Sequence, residues 1–305
     1  MDYIRLLRPP EWIKNVFVLA ALVFGAKRGE AQAFGHAALA FAAFCLAASA
    51  GYAFNDVMDR HRDRHHPTKR NRPVASGRVS VPAALVISAI VALGAVLISL
   101  RLPGPFWATI AAYWVLTLVY SGFLKHVILL DVIIIAMLFV LRALAGALAV
   151  QVTVSPWLIV CTFMLSLFLG FGKRRCEIAV IANSDDAGMH RRTLRGYSIE
   201  LLNHLLTTSG GMAIITFLLY TMDTTTTSAF PKQYLLYTLP LVVYGIWRYA
   251  MLIETGTRTG PTDVVINDRP FLVTVLAWAV LAGILAARGQ AIAEWASRLA
   301  RVGGY

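Results

Sequence analysis

The chain has 305 residues, of which 58% are hydrophobic and only 14% are charged. A soluble domain carries roughly a quarter charged residues, so this composition excludes a soluble protein and indicates one that crosses a membrane several times. The formal net charge of +12 comes from 28 Lys and Arg against 16 Asp and Glu, and the basic residues are concentrated in a few segments.

Apolar runs long enough to cross a bilayer recur along the chain. About 20 such residues span the ~30 Å hydrocarbon core as a helix. We predict nine transmembrane helices, with approximate cores at residues 15–26, 34–55, 82–101, 105–123, 127–150, 155–172, 204–222, 234–253 and 270–288. No Pro/Gly/Ser linker separates them, so we predict one all-α membrane domain over residues 1–305.

The first predicted helix is short and follows an irregular segment. Basic residues before the apolar run "VFVLAALVFGA" would also suit a signal peptide. However, Pro9, Pro10 and Glu11 interrupt the approach to that run. We therefore favour an amphipathic segment with Trp12 at the membrane interface.

Two basic loops orient the protein. One lies after the second predicted helix and the other after the sixth, in "GKRRCEIAVIANSDDAGMHRR". The positive-inside rule places both in the cytoplasm. We therefore predict a plasma-membrane (inner-membrane) protein with a cytoplasmic site, and we expect no nucleic-acid partner. The scattered Cys45, Cys161 and Cys176 predict no disulfide framework.

The stretch "NDVMDRHRD" concentrates acid at the cytoplasmic end of the second helix. If that helix continues through it, Asn55, Asp56, Asp59 and Asp63 lie on one face. Clustered carboxylates repel one another unless a cation lies among them, and Mg²⁺ prefers oxygen ligands and substrate phosphates. We predict that the three aspartates bind Mg²⁺. The alternative is that they pair with neighbouring arginines.

Basic residues follow the aspartates directly. Lys69, Arg70 and Arg72 are suited to donate hydrogen bonds to phosphate oxygens. Acidic ligands for a metal beside basic donors for an anion predict a site for a diphosphate leaving group. His61 and His65 have a spacing that zinc could use, but no Cys or second His cluster completes a tetrahedral site.

Further polar residues lie mostly at the cytoplasmic ends of predicted helices and are expected to surround this site. We expect Lys173 to act in catalysis and the others to bind substrate. Arg142 is exceptional because it falls inside the fifth helix, where a charge faces a partner or cavity unless it snorkels. The whole set is Lys14, Asn15, Asn55, Tyr120, Lys125, Arg142, Lys173, Arg174, Glu177, Asp268 and Arg269.

On the NDxxDxxxD signature at Asn55–Asp63, the chain resembles the UbiA superfamily of intramembrane prenyltransferases over nearly its whole length. The resemblance implies a nine-helix bundle and a Mg²⁺-bound diphosphate beneath a cytoplasmic cap. It also implies a lateral opening for a lipid chain.

Four segments are similar to the decaprenyl-phosphate phosphoribosyltransferase branch of that superfamily. They are "RPPEWIKN", "NDVMDRHRDRHHPTKRNRPVASG", "LRALAGALA" and "GKRRCE". This similarity implies that phosphoribosyl pyrophosphate is the donor and a polyprenyl phosphate the acceptor. The second acidic motif departs from the superfamily pattern, and Asp131 and Glu177 are the candidates for it.

Other functions remain open on sequence alone. The first alternative is a prenyltransferase that joins a prenyl diphosphate to an aromatic or other small acceptor. A transporter would place charges near the midplane, whereas these cluster at one face. A CDP-alcohol phosphotransferase would carry a DGxxAR segment, which the sequence lacks.

Overall fold

A computed structural model describes residues 2–24, 30–65, 69–182, 196–223, 232–255, 264 and 267–302, and no strand occurs in that part of the chain. The α-helices are α1 (Asp2–Leu7), α2 (Ala20–Phe24), α3 (Ala31–Met58), α4 (Arg60–Arg64), α5 (Val81–Ser99), α6 (Phe106–Gly122), α7 (Leu130–Val150), α8 (Pro156–Ala182), α9 (Ile199–Met222), α10 (Leu239–Glu254) and α11 (Arg269–Val302). The 3₁₀ helices cover Pro9–Leu19, Lys69–Asn71, Leu124–His126 and Lys232–Thr238.

Seven helices among the described residues are long and apolar enough to cross a membrane. They are α3, α5, α7, α8, α9, the continuous stretch Lys232–Glu254 and the first half of α11. These confirm an all-helical, multi-pass membrane protein. The other two of the nine predicted helices correspond to α6, which is apolar but shorter, and to the 3₁₀ helix Pro9–Leu19 with α2.

The chain divides into two compact units, one of residues 1–22 and 29–152 and the other mainly of residues 153–305. Each unit is described below by itself. The prediction of a single domain over residues 1–305 stays a prediction.

Alanines allow α3 to form the centre of the first unit. Ala40, Ala43 and Ala47 are fully buried and share a core with side chains of α5, α6 and α7. Small residues let membrane helices approach closely, because little hydrophobic driving force acts between helices within lipid. Phe44 fills the space towards α6, where it meets Phe106 and Tyr113 edge to face at 6.1 and 5.5 Å between ring centroids.

The 3₁₀ helix Pro9–Leu19 packs against α7 at a glycine. A Cβ atom on Gly146 would lie 1.9 Å from the carbonyl oxygen of Val18. No side chain fits at that distance, so glycine is required where the two backbones touch. Val18 itself is buried in the core of the first unit. This contact fixes the depth at which the N-terminal segment enters the unit.

The second unit is built around α8 and α9 and has a similar close approach. A Cβ atom on Gly172 would lie 2.6 Å from the Tyr249 hydroxyl of α10. The Tyr249 ring packs edge to face on Phe168 at 5.1 Å, and its hydroxyl donates to the Leu169 carbonyl. Gly172 therefore permits α10 to lie against the middle of α8.

A buried ion pair between Lys232 and Asp223 joins three segments of the second unit. Lys232 Nζ lies 3.0 Å from Asp223 Oδ2, and both residues are buried. The Ser155 hydroxyl donates to the same carboxylate. The start of α8, the end of α9 and the start of Lys232–Thr238 are thereby joined. The pairing satisfies charges that would otherwise be costly at the edge of the hydrocarbon.

We expect Gly146→Ala to destabilise the protein, because the added methyl group must displace the Val18 carbonyl. Overpacking of this kind costs roughly 1–3 kcal/mol. The measurement is the thermal unfolding midpoint of the purified protein in detergent. Gly35→Ala in α3 is the matched control, since a Cβ there meets nothing within 4 Å. Equal midpoints for the two variants would contradict the proposed contact.

Candidate active site

The acidic stretch lies where α3 ends, but it does not continue as one helix. α3 ends at Met58 and α4 starts at Arg60, with Asp59 between them at φ −89° and ψ 0°. A single helix through Asp63, the condition under which the four residues would share one face, is therefore not observed. Backbone hydrogen bonds from Asp59 to the Asn55 carbonyl and from Asp63 to the Asp59 carbonyl, both 2.9 Å, preserve the succession of turns. The three aspartates therefore lie on successive turns on either side of the break.

Asp56 is buried, with 1% of its surface exposed, and two arginines approach it. The Arg8 guanidinium forms an ion pair with Oδ1 and lies over the Tyr52 ring, 5.0 Å from its centroid. Arg72 Nη1 lies 3.4 Å from the same oxygen. A carboxylate this deeply buried needs such cations, because an isolated buried charge is strongly unfavourable.

Asp63 shares Arg72 with Asp56. Arg72 Nη1 lies 2.6 Å from Asp63 Oδ2, and Asp63 is also buried. The segment after α4 turns back to bring Arg72 into this position. Arg64 Nε donates to the Ala75 carbonyl, and Gly77 adopts a left-handed φ of 78° that favours glycine. One arginine thus joins two of the three aspartates.

Asp59 pairs with a cation from a different part of the first unit. Lys125 Nζ lies 3.2 Å from Asp59 Oδ1, and Asn55 Nδ2 donates to Oδ2 at 3.2 Å. Lys125 belongs to the 3₁₀ turn Leu124–His126 between α6 and α7, and it is buried. That turn therefore positions a lysine at the end of α3.

Each aspartate thus has a cationic partner. Only Arg72 is a neighbouring arginine of the kind that the pairing alternative expected, since Asp59 pairs with Lys125 and Arg8 comes from the N-terminal segment. In the described part of the chain, no three His, Cys, Asp or Glu side chains converge as a metal-ligand set. The donors nevertheless fit a hard cation, because all are carboxylate oxygens. Asp56 Oδ2 is also buried and has no hydrogen-bond partner among the described residues. Such an atom is unfavourable unless a ligand uses it.

Arg142 lies apart from the aspartates, deep in the first unit. It is 4% exposed, so the snorkelling alternative is wrong. Nε donates to Asn15 Oδ1 at 2.8 Å, and Nη2 donates to the Tyr113 hydroxyl at 3.2 Å. Asn15 in turn donates to Cys45 Sγ. Cys45 and Asp56 are eleven residues apart in α3, which corresponds to roughly 16 Å along the helix.

The other predicted residues of the first unit take varied positions. Lys14 forms an ion pair with Glu11, while Tyr120 is half-buried at the end of α6. Lys69 and Arg70 lie in the 3₁₀ turn before Arg72, where Lys69 is half-buried and Arg70 exposed. Asp131 is buried in the first turn of α7.

In the second unit, the "KRRCE" residues differ in exposure. Lys173 is exposed, whereas Arg174 is 2% exposed and forms an ion pair with Glu177. Arg175 donates to the Ile253 carbonyl and to Asn203 Oδ1, both at 2.6 Å. Its guanidinium therefore caps the carboxyl end of α10, where a cation is favourable. Asp185 and Asp186, in the basic loop after the sixth predicted helix, lie outside the described residues.

Asp268 organises the start of α11. It accepts two hydrogen bonds from Arg248, at 3.2 and 2.9 Å, and one from the Phe271 backbone at 2.8 Å. The last of these is a helix cap. Arg269 next to it is exposed. The carboxylate of Asp268 thus joins α10 to the beginning of α11.

The sequence interpretation missed Arg8 as a site residue and treated it only as a basic residue before the first apolar run. The sequence feature that could have drawn attention to Arg8 is its position before two prolines in "RPPEWIKN". Arg8 has a left-handed backbone with φ 51° and ψ 57°. This conformation is uncommon for any residue with a side chain, and Pro9 and Pro10 then fix the following backbone. Side-chain pairing across 48 residues could not be inferred from that pattern.

Comparison with known proteins finds related sequences over most of the chain. The UbiA prenyltransferase family model matches residues 15–267. The chain is 32% identical over 285 residues to a decaprenyl-phosphate phosphoribosyltransferase of Mycolicibacterium smegmatis, covering 90% of this chain and 89% of the relative. It is 34% identical over 281 residues to the protein of that name from Corynebacterium glutamicum, covering 90% and 83%.

A solved structure shows the same fold. A UbiA homolog from Archaeoglobus fulgidus, bound to DMAPP and Mg²⁺, superposes with a TM-score of 0.70. The match covers 96% of this chain and 99% of the homolog at 18% identity.

We expect Arg142→Met to lower the unfolding midpoint, because it leaves the buried Asn15 oxygen without its donor. An unsatisfied buried group costs about 1–3 kcal/mol. The matched control is Arg101→Met, since Arg101 is exposed. If both variants unfold at the wild-type temperature in detergent, the buried network around Arg142 does not contribute to stability.

Proposed function

Because the chain belongs to the UbiA prenyltransferase family, we propose that it transfers the 5-phosphoribosyl group of phosphoribosyl pyrophosphate to a polyprenyl phosphate. The decaprenyl-phosphate phosphoribosyltransferases support the transferred group and the acceptor, since each aligns with about nine-tenths of the chain. The observation that carries the proposal is the group of three aspartates and their cations at the end of α3. A diphosphate needs both kinds of group.

The proposed reaction is a displacement at C1 of the ribose. A lipid phosphate oxygen forms the new bond to C1, and the bond from C1 to the diphosphate oxygen breaks. Pyrophosphate leaves with the electron pair of that bond. A phosphate nucleophile is already ionised near neutral pH, so no side chain must remove a proton from it. The protein's task is therefore to bind, orient and neutralise two anionic substrates.

Asp56, Asp59 and Asp63 are the proposed Mg²⁺ ligands, with the partnerless Asp56 Oδ2 as the first point of attachment. When bound, Mg²⁺ supplies Lewis-acid stabilisation of the charge on the departing pyrophosphate. One or two carboxylates next to substrate phosphates are typical surroundings for this ion, so not all three aspartates need to contact it directly. Asn55 orients Asp59 through its side-chain hydrogen bond.

Basic side chains of the first unit would bind the diphosphate oxygens. Arg72 and Lys125 already lie at the aspartates, and Lys69 and Arg70 precede Arg72 in the same turn. Arginine suits bidentate contact with phosphate. Lys14, Asn15, Tyr120 and Arg142 complete the proposed substrate-binding residues of this unit.

In the second unit, we propose Lys173 as a catalytic residue. The proposed substrate-binding residues of this unit are Arg174, Glu177, Asp268 and Arg269. Lys173 and Arg269 are exposed and therefore able to contact a soluble anion directly. Arg174 and Asp268 are buried in ion pairs, so we assign them the positioning of their neighbours.

We also propose nine membrane crossings, with Pro9–Phe24 and α6 as the two beyond the seven long helices. The basic residues after α3 and at the end of α8 support a cytoplasmic location for the site in the plasma membrane. Phosphoribosyl pyrophosphate is water-soluble, and a cytoplasmic site would give it direct access.

The deciding experiment is a transfer assay with purified protein in lipid nanodiscs. Radiolabelled phosphoribosyl pyrophosphate and polyprenyl phosphate are incubated with the protein, and label is measured in the lipid phase. A parallel reaction contains labelled prenyl diphosphate and an aromatic acceptor. Label in lipid only in the first reaction supports the proposal. Product only in the second would replace it with ordinary prenyl transfer.

We expect the activity to depend on Mg²⁺ and on the aspartates. EDTA should abolish transfer, and added Mg²⁺ should restore it. Asp59→Asn should lower kcat/KM at least tenfold in a protein that still unfolds in one cooperative transition, since Asp59 is 24% exposed at its side chain and Asn keeps its size. Glu200→Gln, an exposed carboxylate at the start of α9, is the control and should retain activity. Full turnover in EDTA would exclude the metal role.

We expect Lys173→Ala to weaken binding of the donor through its 5-phosphate. A hydrogen bond to a charged group contributes roughly 1.5–3 kcal/mol, which corresponds to a tenfold or greater loss of affinity. Ribose 1-pyrophosphate, which lacks the 5-phosphate, should bind equally to the wild type and to the variant. Lys173→Arg, which keeps the charge, should bind both donors almost normally. A uniform loss for both donors would remove Lys173 from 5-phosphate recognition.

A further inference from the structure

We infer that Arg8 is a further diphosphate-binding residue, which exchanges Asp56 for the diphosphate when a divalent cation binds the carboxylate. The inference rests on the proposed function only in requiring a diphosphate and a divalent cation at the aspartates. It follows that cation and diphosphate bind together, each weakly without the other.

The first step is the competition at Asp56. The Arg8 guanidinium and Arg72 Nη1 both approach Oδ1, and Oδ2 is the oxygen left without a hydrogen bond. A divalent cation on Oδ2 would lie within a few ångströms of the Arg8 guanidinium. Like charges at that separation repel strongly in a buried, poorly solvated site. Binding of the cation therefore disfavours the pairing of Arg8 with Asp56.

The second step is the charge balance of the paired groups. Arg8 and Arg72 accompany Asp56 and Asp63, and Lys125 accompanies Asp59. Three carboxylates thus face three cations in these pairs. A divalent cation alone adds two positive charges to a balanced site, and a diphosphate alone adds negative charge beside buried carboxylates. Added together they nearly cancel, so their binding is positively coupled.

The third step identifies Arg8 as the group that moves. Arg72 is also held by Asp63 at 2.6 Å, and Lys125 is held in the turn between α6 and α7. Arg8 has Asp56 as its one described carboxylate partner, and its side chain is 22% exposed where that of Asp56 is 1%. Pro9 and Pro10 restrict the backbone after it. The exchange is therefore a side-chain rotation.

An anion can also reach Arg8 from outside. Arg8 borders an open cleft of about 400 Å³ at the elbow between α1 and the following 3₁₀ helix. The cleft is lined by Ile4, Arg5, Arg8, Pro9, Pro10 and Glu11. A guanidinium between this cleft and Asp56 has space to turn towards a bound phosphate.

The test measures binding rather than turnover, with Mn²⁺ as the cation and inorganic pyrophosphate as the anion. Free Mn²⁺ is followed by its paramagnetic resonance signal, and the preformed Mn²⁺–pyrophosphate complex is titrated by equilibrium dialysis with labelled pyrophosphate. The wild type should bind the complex at least tenfold more tightly than Mn²⁺ alone. Arg8→Met should bind Mn²⁺ alone severalfold more tightly, because a competing cation is removed. It should bind the complex about tenfold more weakly, because a charged donor is lost.

Opposite changes in the two affinities are the signature of exchange. Arg60→Met is the matched control, because Arg60 carries the same charge but donates to the Val57 carbonyl and pairs with none of the three aspartates in the described contacts. It should shift both affinities less than twofold. If Arg8→Met does not fold, Arg8→Gln provides the same comparison. Weakening of both ligands, or no change in either, would overturn the inference. Both candidate donors, phosphoribosyl pyrophosphate and a prenyl diphosphate, carry a diphosphate group. The outcome of this binding test therefore does not depend on whether the protein transfers a phosphoribosyl group.

Discussion

Carboxylates buried at the end of a membrane helix must be matched by cations, and the first unit is arranged around that requirement. Asp56 and Asp63 are nearly inaccessible, although Asp56 lies in the last turns of the apolar helix α3 and Asp63 in the short helix α4 after it. The cations come from three places: the N-terminal segment, the loop after α4, and the turn between α6 and α7. Those distant segments are therefore held at the same end of α3 by charge. Apolar contacts alone would not specify this arrangement.

Buried ion pairs are poor sources of stability, because the cost of desolvation offsets much of the attraction. A contribution to stability therefore does not explain why these ion pairs are present. In the proposed function, cations already placed around the carboxylates turn to an anionic substrate without large rearrangement of the backbone. The second unit uses charges differently: Arg175 caps α10, and Asp268 caps α11 while it binds Arg248. There the ionic groups fix helix ends.

Much of this was predictable from the sequence, and the remainder has identifiable causes. Apolar runs predicted the long helices, because length and composition dominate in lipid. The spacing of the aspartates predicted an acidic group at one helix end. The break at Asp59 was not predicted, because the spacing is compatible with both a continuous and an interrupted helix. Arg8 and Arg142 find partners 48 and 127 residues away, and no local pattern encodes such pairs.

The close approach of Val18 to Gly146 bears on how the protein is made. The N-terminal segment leaves the ribosome long before α7, yet its final neighbours Gly146 and Arg142 belong to that helix. The side-chain oxygen of Asn15 accepts its hydrogen bond from Arg142. Before α7 has been synthesised, the Asn15 amide therefore lacks this donor. The segment can therefore make its final contacts only after α7 has been synthesised. Assembly of the site is thus a late event in biogenesis.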